Sequence, residues 1–518
     1  MSSAAPEPYF DDGSRGEPTY RLAWTGRLGG PLIALAVYYG LELAGADLAQ
    51  EARGTAAIGI LMAILWMTEA MPLAATSLIP IAMFPIVGVL SVSEATAPYA
   101  SDVIFLFMGG FVLALAMERW NLHRRIALLI VIVVGTRPTR LVAGFMVATA
   151  FLSMWISNTA TTVLMLPIAV SIIALITTRL HDQAVAEGRT VGEGEILTPK
   201  FATGLMLAVA YAASIGSVGT LIGTPPNLFL RAFVERSYGI EIGFGQWMLV
   251  GIPLVVVFLA IAWALMALVL FRPEIEEIPD SEGLIAEQFR QLGPMSKGEK
   301  IVLTVFVATA MAWVFREPVT GIDWLANRLP WIEQVTDPAI AIIAALFLFS
   351  IPVDARRGVF VIDWETANRL PWNVLLLFGG GLSLATAIQE SGLDTWIGSQ
   401  FLQLDALPGI GLVVGTILLT TLLSNLTSNT ATAATFLPIL GGLALGIGVE
   451  PLVLLVPAAL AATCAFIMPV ATPPNAIVFG SGHVQIGQMV RAGLWLNVVA
   501  ILLITLLTYT IGGWVLGY

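Results

Sequence analysis

Two short polar motifs interrupt long apolar stretches of the chain, Ser157-Asn158-Thr159 and Ser428-Asn429-Thr430. A second pair follows, Gly223-Thr224-Pro225-Pro226-Asn227 and Ala471-Thr472-Pro473-Pro474-Asn475. Thr-Pro-Pro-Asn inside an apolar segment breaks a helix, because proline lacks a backbone donor and its ring clashes with the preceding turn. The carbonyls freed there can hold a cation, and the next half-helix offers its N-terminus to an anion. Ser-Asn-Thr at the start of a helix adds unpaired N–H groups and hydroxyls. Taken singly, each Ser or Thr serves equally well by bonding back to its own helix. What favours a site is that both motifs recur in the same order. Four such ends around one cavity supply hydroxyl and amide donors, carbonyl oxygens and partial positive charge. Oxygen-only ligands, with no Cys or His cluster, suit sodium-like ions rather than transition metals. No Lys, Arg or His lies in any motif, which leaves helix ends and bound cations to balance a small anion.

The elements that hold these motifs belong in a membrane. Of 518 residues, 57% are hydrophobic and 11% charged, against roughly 25% charged in soluble domains. The apolar runs are long and continuous, so helices rather than alternating barrel strands cross the bilayer. Such a composition excludes a soluble enzyme, a disordered chain and a disulfide scaffold. The one cysteine, Cys464, reads as a packed thiol. His123, His181 and His483 are scattered. A net charge of −11 argues against nucleic acid as a partner. No Ser/Lys pair, paired aspartates or HExxH sequence appears at mid-membrane, so an intramembrane enzyme is not expected and no cofactor is implied.

Eleven candidate spans are 29–46, 54–72, 76–92, 101–119, 201–222, 245–271, 299–315, 337–353, 371–391, 452–470 and 489–515. Two further stretches, 141–178 and 406–449, are uncharged over 38 and 44 residues. Each is either two ordinary spans or a re-entrant hairpin with its polar motif at mid-depth beside a wet cavity. Arg137, Arg140 and Arg179 flank the first stretch and place both its ends in the cytoplasm. No Lys or Arg occurs from Pro371 to Val490, so the second opens to the outside. Residues 1–28 read as a cytoplasmic disordered tail with no signal peptide. Arg15, Arg21 and Arg27 favour a cytoplasmic N-terminus, with the C-terminus outside.

The two Ser-Asn-Thr motifs are 271 residues apart, and the same offset aligns Phe107, Gly109, Gly110, Ala114, Ala116 and Leu122 with Phe378, Gly380, Gly381, Ala385, Ala387 and Leu393. The Thr-Pro-Pro-Asn motifs are 248 apart. The chain is therefore two related halves, about 54–272 and 299–515, joined by an acidic segment, 273–298, read as a solvated loop. The charge contrast around the hairpins calls for opposite orientations. Inverted repeats mark secondary transporters, whose sites lie near mid-membrane at the repeat interface.

SMWISNTATT followed by IGTPPN, repeated as SNLTSNTATA and VATPPN, resembles the divalent-anion:sodium symporter family, which includes sodium-coupled dicarboxylate, citrate and sulfate carriers. VIFLFMGGFVLALAMERWNLHRRIAL is similar to that family's fourth helix and the amphipathic helix after it. The resemblance covers roughly residues 50–515. It implies an all-α polytopic membrane protein, a homodimer in the inner or plasma membrane, with eleven spans and two re-entrant hairpins in two inverted repeats and broken fifth and tenth helices. It implies an elevator-type transporter. Scaffold helices would be 29–136 and 299–400, and the moving transport segments 137–272 and 401–518. The family's first sodium site falls on Ser153, Ser157, Asn158 and Gly223, the second on Ser424, Thr427, Asn429 and Ala471, some through backbone carbonyls. Substrate carboxylates would meet Ser157, Asn158, Thr159 and Thr224 in one half, and Ser428, Asn429, Thr430, Thr472 and Pro473 in the other. Ser424 and Thr427 are not the only types the family uses at those places, but both ligate cations. Members that exchange anions without sodium carry basic side chains there, and this sequence has none. The expected activity is sodium-coupled import of a C4-dicarboxylate such as succinate, fumarate or malate, with citrate or sulfate carriage and exchange as the rivals.

Overall fold

A computed structural model of the chain describes residues 17–135, 137–186, 199–273, 281–400 and 409–518. Nearly all of it is helical, with one two-stranded antiparallel ribbon, β1 (Pro352–Asp354) and β2 (Val359–Phe360). Eight helices are long and apolar enough to cross a bilayer, and four shorter apolar helices accompany them among the described residues. Each of the eleven expected spans carries a helix. The first, α1 (Glu17–Leu43), starts well before residue 29 and packs on α2 (Gln50–Met67); residues 1–16 of the expected tail lie outside the described residues.

The succession that follows is written twice. In the first half it runs α3 (Asp102–Arg119), the amphipathic α4 (Leu122–Val134), hairpin arms α5 (Pro138–Ser153) and α6 (Asn158–Ala186), a helix broken into α7 (Pro199–Ser217) and α8 (Pro225–Tyr238), and α9 (Phe244–Ala264). A short helix, α10 (Ser281–Gln291), α11 (Lys297–Thr320) and α12 (Asp337–Ser350) lead to the second half. There the order is α13 (Trp372–Glu390), α14 (Leu393–Gln400), hairpin arms α15 (Gly409–Leu426) and α16 (Asn429–Gly446), a helix broken into α17 (Pro451–Thr463) and α18 (Pro473–Gly480), and α19 (Ile486–Leu507).

Each uncharged stretch folds as two helical arms that meet at its Ser-Asn-Thr motif, and one arm of each, within Asn158–Thr178 and Gly409–Leu426, is itself long enough to cross a bilayer. Arm α5 has 16 residues, about 24 Å of helix, short of a hydrocarbon core of about 30 Å. The hairpin tips end inside the protein: Ser153 and Ser424 are fully buried, and each bonds to the helix broken by its own half's Thr-Pro-Pro-Asn motif. The first arm α15 buries its polar face, Thr416, Thr420, Thr421, Ser424 and Asn425, and exposes Leu418, Leu422 and Leu426. That inside-out amphipathicity would fail in water and is what lipid demands.

The segment joining the halves is not a solvated loop throughout. Within it, α10 forms and packs on α4, burying Ile285; residues 274–280 lie outside the described residues. The dock is fixed by Arg125 of α4, whose Nε donates to Glu299 Oε1 at 2.7 Å. Its Nη2 reaches the Leu292 carbonyl at 3.4 Å.

Candidate functional site

Both hairpins turn at their Ser-Asn-Thr motif because Ser is the N-cap of the second arm. Ser157 accepts from the Ala160 N–H at 3.2 Å, so α6 starts at Asn158. Ser428, at φ −65° and ψ 130°, precedes α16 without a side-chain capping bond. The broken helices restart where proline occupies the first helical position, the one place its missing N–H costs nothing. Thr224 and Thr472 stand before α8 and α18 in matching extended conformations, φ −144° and −140°. Thr472 accepts from the Asn475 N–H at 3.3 Å, whereas Thr224 makes no such bond.

In the first half, Ser153 Oγ donates to the Ala213 carbonyl at 2.7 Å. A Cβ on Gly223 would lie 3.1 Å from the Ser153 carbonyl oxygen, so Gly223 and Ser153, two members of the expected first sodium set, are neighbours. Thr220 joins them: its hydroxyl donates to the Met154 carbonyl at the hairpin tip and accepts from the Gly223 N–H at 3.1 Å. Ser157, Asn158 and Thr159 follow the tip and are half-buried.

In the second half, Ser424 Oγ lies 2.7 Å from Asn429 Oδ1 and also reaches the Ala462 carbonyl, which brings those two expected ligands together. One hydroxyl proton serves only one acceptor at a time, so oxygen lone pairs remain for a cation. Thr427 spends its hydroxyl differently, on the Leu423 carbonyl at 3.0 Å and on Thr432 Oγ1 at 2.8 Å. Ala471 and Thr472 are buried, Ser428, Asn429 and Thr430 half-buried, and Pro473 is exposed.

The two halves are interlocked. Helix α8, which starts at the first Thr-Pro-Pro-Asn, packs on α16, which starts at the second Ser-Asn-Thr. Reciprocally, α18 packs on α6. Each half's restarted helix thus lies against the other half's hairpin.

Several residues carry this site without having been singled out from the sequence. Asn227 Nδ2 donates to the Val218 and Thr220 carbonyls at 3.3 and 2.9 Å, and Asn475 Nδ2 to the Ala465 and Met468 carbonyls at 3.1 and 3.0 Å. The asparagine that closes each Thr-Pro-Pro-Asn therefore holds its own helix break open, and its repetition was the available signal. Arg231, on α8, is the nearest arginine after the first Thr-Pro-Pro-Asn, and it is paired with Asp337 at 3.0 Å, both fully buried. Among the described residues no group of His, Cys, Asp and Glu could hold a metal ion.

Residues 32–517 match the family described as "Sodium:sulfate symporter transmembrane region". The chain is 42% identical over 510 residues to the sodium-dependent dicarboxylate transporter SdcS of Staphylococcus aureus, in strains RF122 / ET3-1 and USA300 among others, covering 98% of this chain and 95% of that one. Among solved structures it resembles the Alcanivorax borkumensis YdaH transporter, with TM-score 0.57, 15% identity and coverage of 97% of this chain and 100% of that one. Neisseria gonorrhoeae MtrF gives TM-score 0.53 at 14% identity, covering 91% and 96%. Those two likenesses concern the fold alone.

Proposed function

The chain belongs to the divalent-anion:sodium symporter family, and from that premise we propose that it imports C4-dicarboxylates such as succinate, fumarate or malate together with sodium. It is a transporter and not an enzyme, with sodium as coupling ion. The observation that carries symport rather than exchange is the donor set. Around the motifs stand hydroxyls, side-chain amides, carbonyls and helix N-termini, while Arg231 is committed to Asp337. A dianion there has helix ends and bound cations to balance it. The dicarboxylate class is taken from the similarity to SdcS.

In this reading Ser153, Ser157, Asn158 and Gly223 hold one sodium, and Ser424, Thr427, Asn429 and Ala471 another. Ser157, Asn158, Thr159, Thr224, Ser428, Asn429, Thr430, Thr472 and Pro473 meet the carboxylates. Cations order the hairpin tips and so raise anion affinity, and the anion raises cation affinity by the same factor. Only the fully loaded transport segments, 137–272 and 401–518, cross by an elevator movement against scaffold helices 29–136 and 299–400. The protein works as a homodimer in the inner membrane, N-terminus cytoplasmic and C-terminus outside.

The test is radiolabelled succinate uptake by purified protein in proteoliposomes under an imposed inward sodium gradient. Uptake is expected to need sodium and to be competed by fumarate and malate. Competition by sulfate or citrate instead reassigns the substrate, and sodium-independent counterflow replaces symport with exchange.

A further inference from the structure

Most Ser and Thr residues on the long helices bond back to the carbonyl four residues earlier, as Thr149, Thr162, Thr309, Thr505 and Thr508 do. Thr76, Thr161, Ser214 and Thr435 are buried exceptions, and behind the second hairpin the exceptions cluster. The hydroxyls of Thr420 and Thr421 on α15 and of Thr463 at the end of α17, and Oδ1 of Asn497 on α19, are buried and have no hydrogen-bond partner. Their residues are 1%, 4%, 0% and 5% exposed.

The packing register brings them to one level. Helices α15, α17 and α19 pack on one another. A Cβ on Gly409, at the start of α15, would lie 3.5 Å from the hydroxyl of Tyr509, just past the end of α19, which places those two ends together. Thr421 is twelve residues after the first and Asn497 twelve before the second, which sets them level to within about a helical turn. At the other end, Asn425 Oδ1 accepts from the Ile467 N–H at 2.9 Å while Gly493 presses on the Phe466 carbonyl, in the same register. Ser424 reaches the Ala462 carbonyl, which puts Thr463 within a helical turn of Thr421, about 5 Å along the axis.

The duplication supplies an internal control. The 271-residue offset places Thr420 and Thr421 on Thr149 and Ala150, and the matching contacts of Ser153 with the Ala213 carbonyl and of Ser424 with the Ala462 carbonyl place Thr463 on Ser214. For α19 the offset is 242: Gln488 and Gln246 occupy equivalent capping positions, and Gly493 and Gly251 press on carbonyls of equivalent breaks. Asn497 thus corresponds to Val255. In the first half the place is filled by Ala150, Ser214 and Val255, all buried, with Thr149 bonded back to Phe145 at 2.6 Å and the Ser214 hydroxyl, like that of Thr463, without a hydrogen-bond partner. Gly216 closes it against the Ala150 backbone. One copy keeps a single unpaired hydroxyl, that of Ser214; the other gathers four unpaired oxygens.

Unpaired buried oxygens each cost free energy unless something meets them. All four are hard, neutral donors, and they sit at the carboxyl end of α17, where the helix dipole is negative and carbonyls are free. We propose that Thr420, Thr421, Thr463 and Asn497 form an alkali-cation site behind the second hairpin, separate from the two sets at the motif tips. The inference deepens the symport reading and rests on it: sodium bound there braces α15 against α17 and α19 and so steadies the tip that carries Ser424 and Asn429.

The test compares thermal unfolding of purified protein in NaCl and in KCl at equal ionic strength. In the Asn158→Ala/Asn429→Ala variant, which disables the tip sets, sodium is expected still to raise the unfolding temperature. Adding Thr421→Val removes that rise, and Thr463→Val does so independently should the first variant fold poorly. No sodium-specific rise in the tip variant, or a rise that survives both valines, overturns the site and leaves it to water. In uptake assays Thr421→Val alone is expected to raise the half-saturating sodium concentration several-fold. Unchanged sodium dependence in that variant defeats this site alone, whereas sodium-independent uptake by the unsubstituted protein defeats the symport reading.

Discussion

Nη1 of Arg231 stands 3.0 Å from Oδ2 of Asp337, and the two side chains are 1% and 0% exposed. Asp337 is shared: Arg316 Nε lies 3.0 Å from its other oxygen, close but not aligned as a hydrogen bond, and the Phe244 N–H donates to Oδ2 at 3.0 Å. The carboxylate therefore ties α8 to α11, α12 and the start of α9. Removing one member of a buried pair costs about 3–5 kcal/mol because the other charge is stranded. Asp337→Ala leaves the buried Arg231 with only Glu235 at 3.8 Å and takes one partner from Arg316, which keeps Glu241 at 3.0 Å, whereas Arg231→Ala leaves Asp337 with Arg316 and the Phe244 amide. Apparent unfolding temperatures in detergent are expected to fall further for Asp337→Ala than for Arg231→Ala. Equal or reversed losses would show that the carboxylate is not the hub.

The asparagines of the two Thr-Pro-Pro-Asn motifs make a paired prediction. Each donates twice to carbonyls of its own break, and each keeps a buried Oδ1 without a hydrogen-bond partner. Asn227→Ala or Asn475→Ala leaves two carbonyls unmet, at about 1–3 kcal/mol for each buried group. Both variants are expected to lose comparable thermal stability and to bind substrate more weakly, because α8 and α18 no longer start from a fixed break. Full substrate affinity in either one would mean that the prolines alone shape that break.

The Ser-Asn-Thr motifs carry the prediction with the plainest readout. Asn429 Oδ1 is within 2.7 Å of Ser424 Oγ, and Asn158 opens the helix on the other hairpin. Asn158→Ala or Asn429→Ala is expected to abolish sodium-dependent succinate uptake while the protein still inserts and elutes as a folded species. Undiminished uptake in both variants defeats the proposed site.

The motifs were legible because polar residues stand out in apolar stretches and because they recur at a fixed offset. The hairpins were half legible: composition gave two arms around a polar turn, and the packing of Ser153 and Ser424 against the broken helices came only with the tertiary structure. The Arg231–Asp337 pair was not legible, since 106 residues separate its members and neither belongs to a motif. Helix α10 was hidden by its acidic surroundings; its dock on α4 runs through Arg125, which meets the Phe289 ring and the Leu292 carbonyl, 167 residues on. Thr220 was invisible for a different reason. Its hydroxyl works by bridging a hairpin tip to a helix break, a role set by tertiary packing alone.

Gly223 separates a backbone role from a side-chain role. A Cβ there would lie 2.2 Å from the Ser217 carbonyl oxygen and 3.1 Å from that of Ser153. Both neighbours are backbone, one in the break and one at the hairpin tip, so neither yields as a side chain would. Even the smallest side chain must push the tip away from the break and separate the groups that Thr220 joins. Gly223→Ala is therefore expected to lose sodium-dependent uptake and the sodium-induced gain in thermal stability contributed by the first tip set. Gly487→Ala is the matched control, because a Cβ there meets nothing within 4 Å. It is expected to transport as the parent does, with stability changed by less than about 0.5 kcal/mol. Uptake by Gly223→Ala at the level of Gly487→Ala would show that the break and the hairpin tip need not touch for sodium to bind.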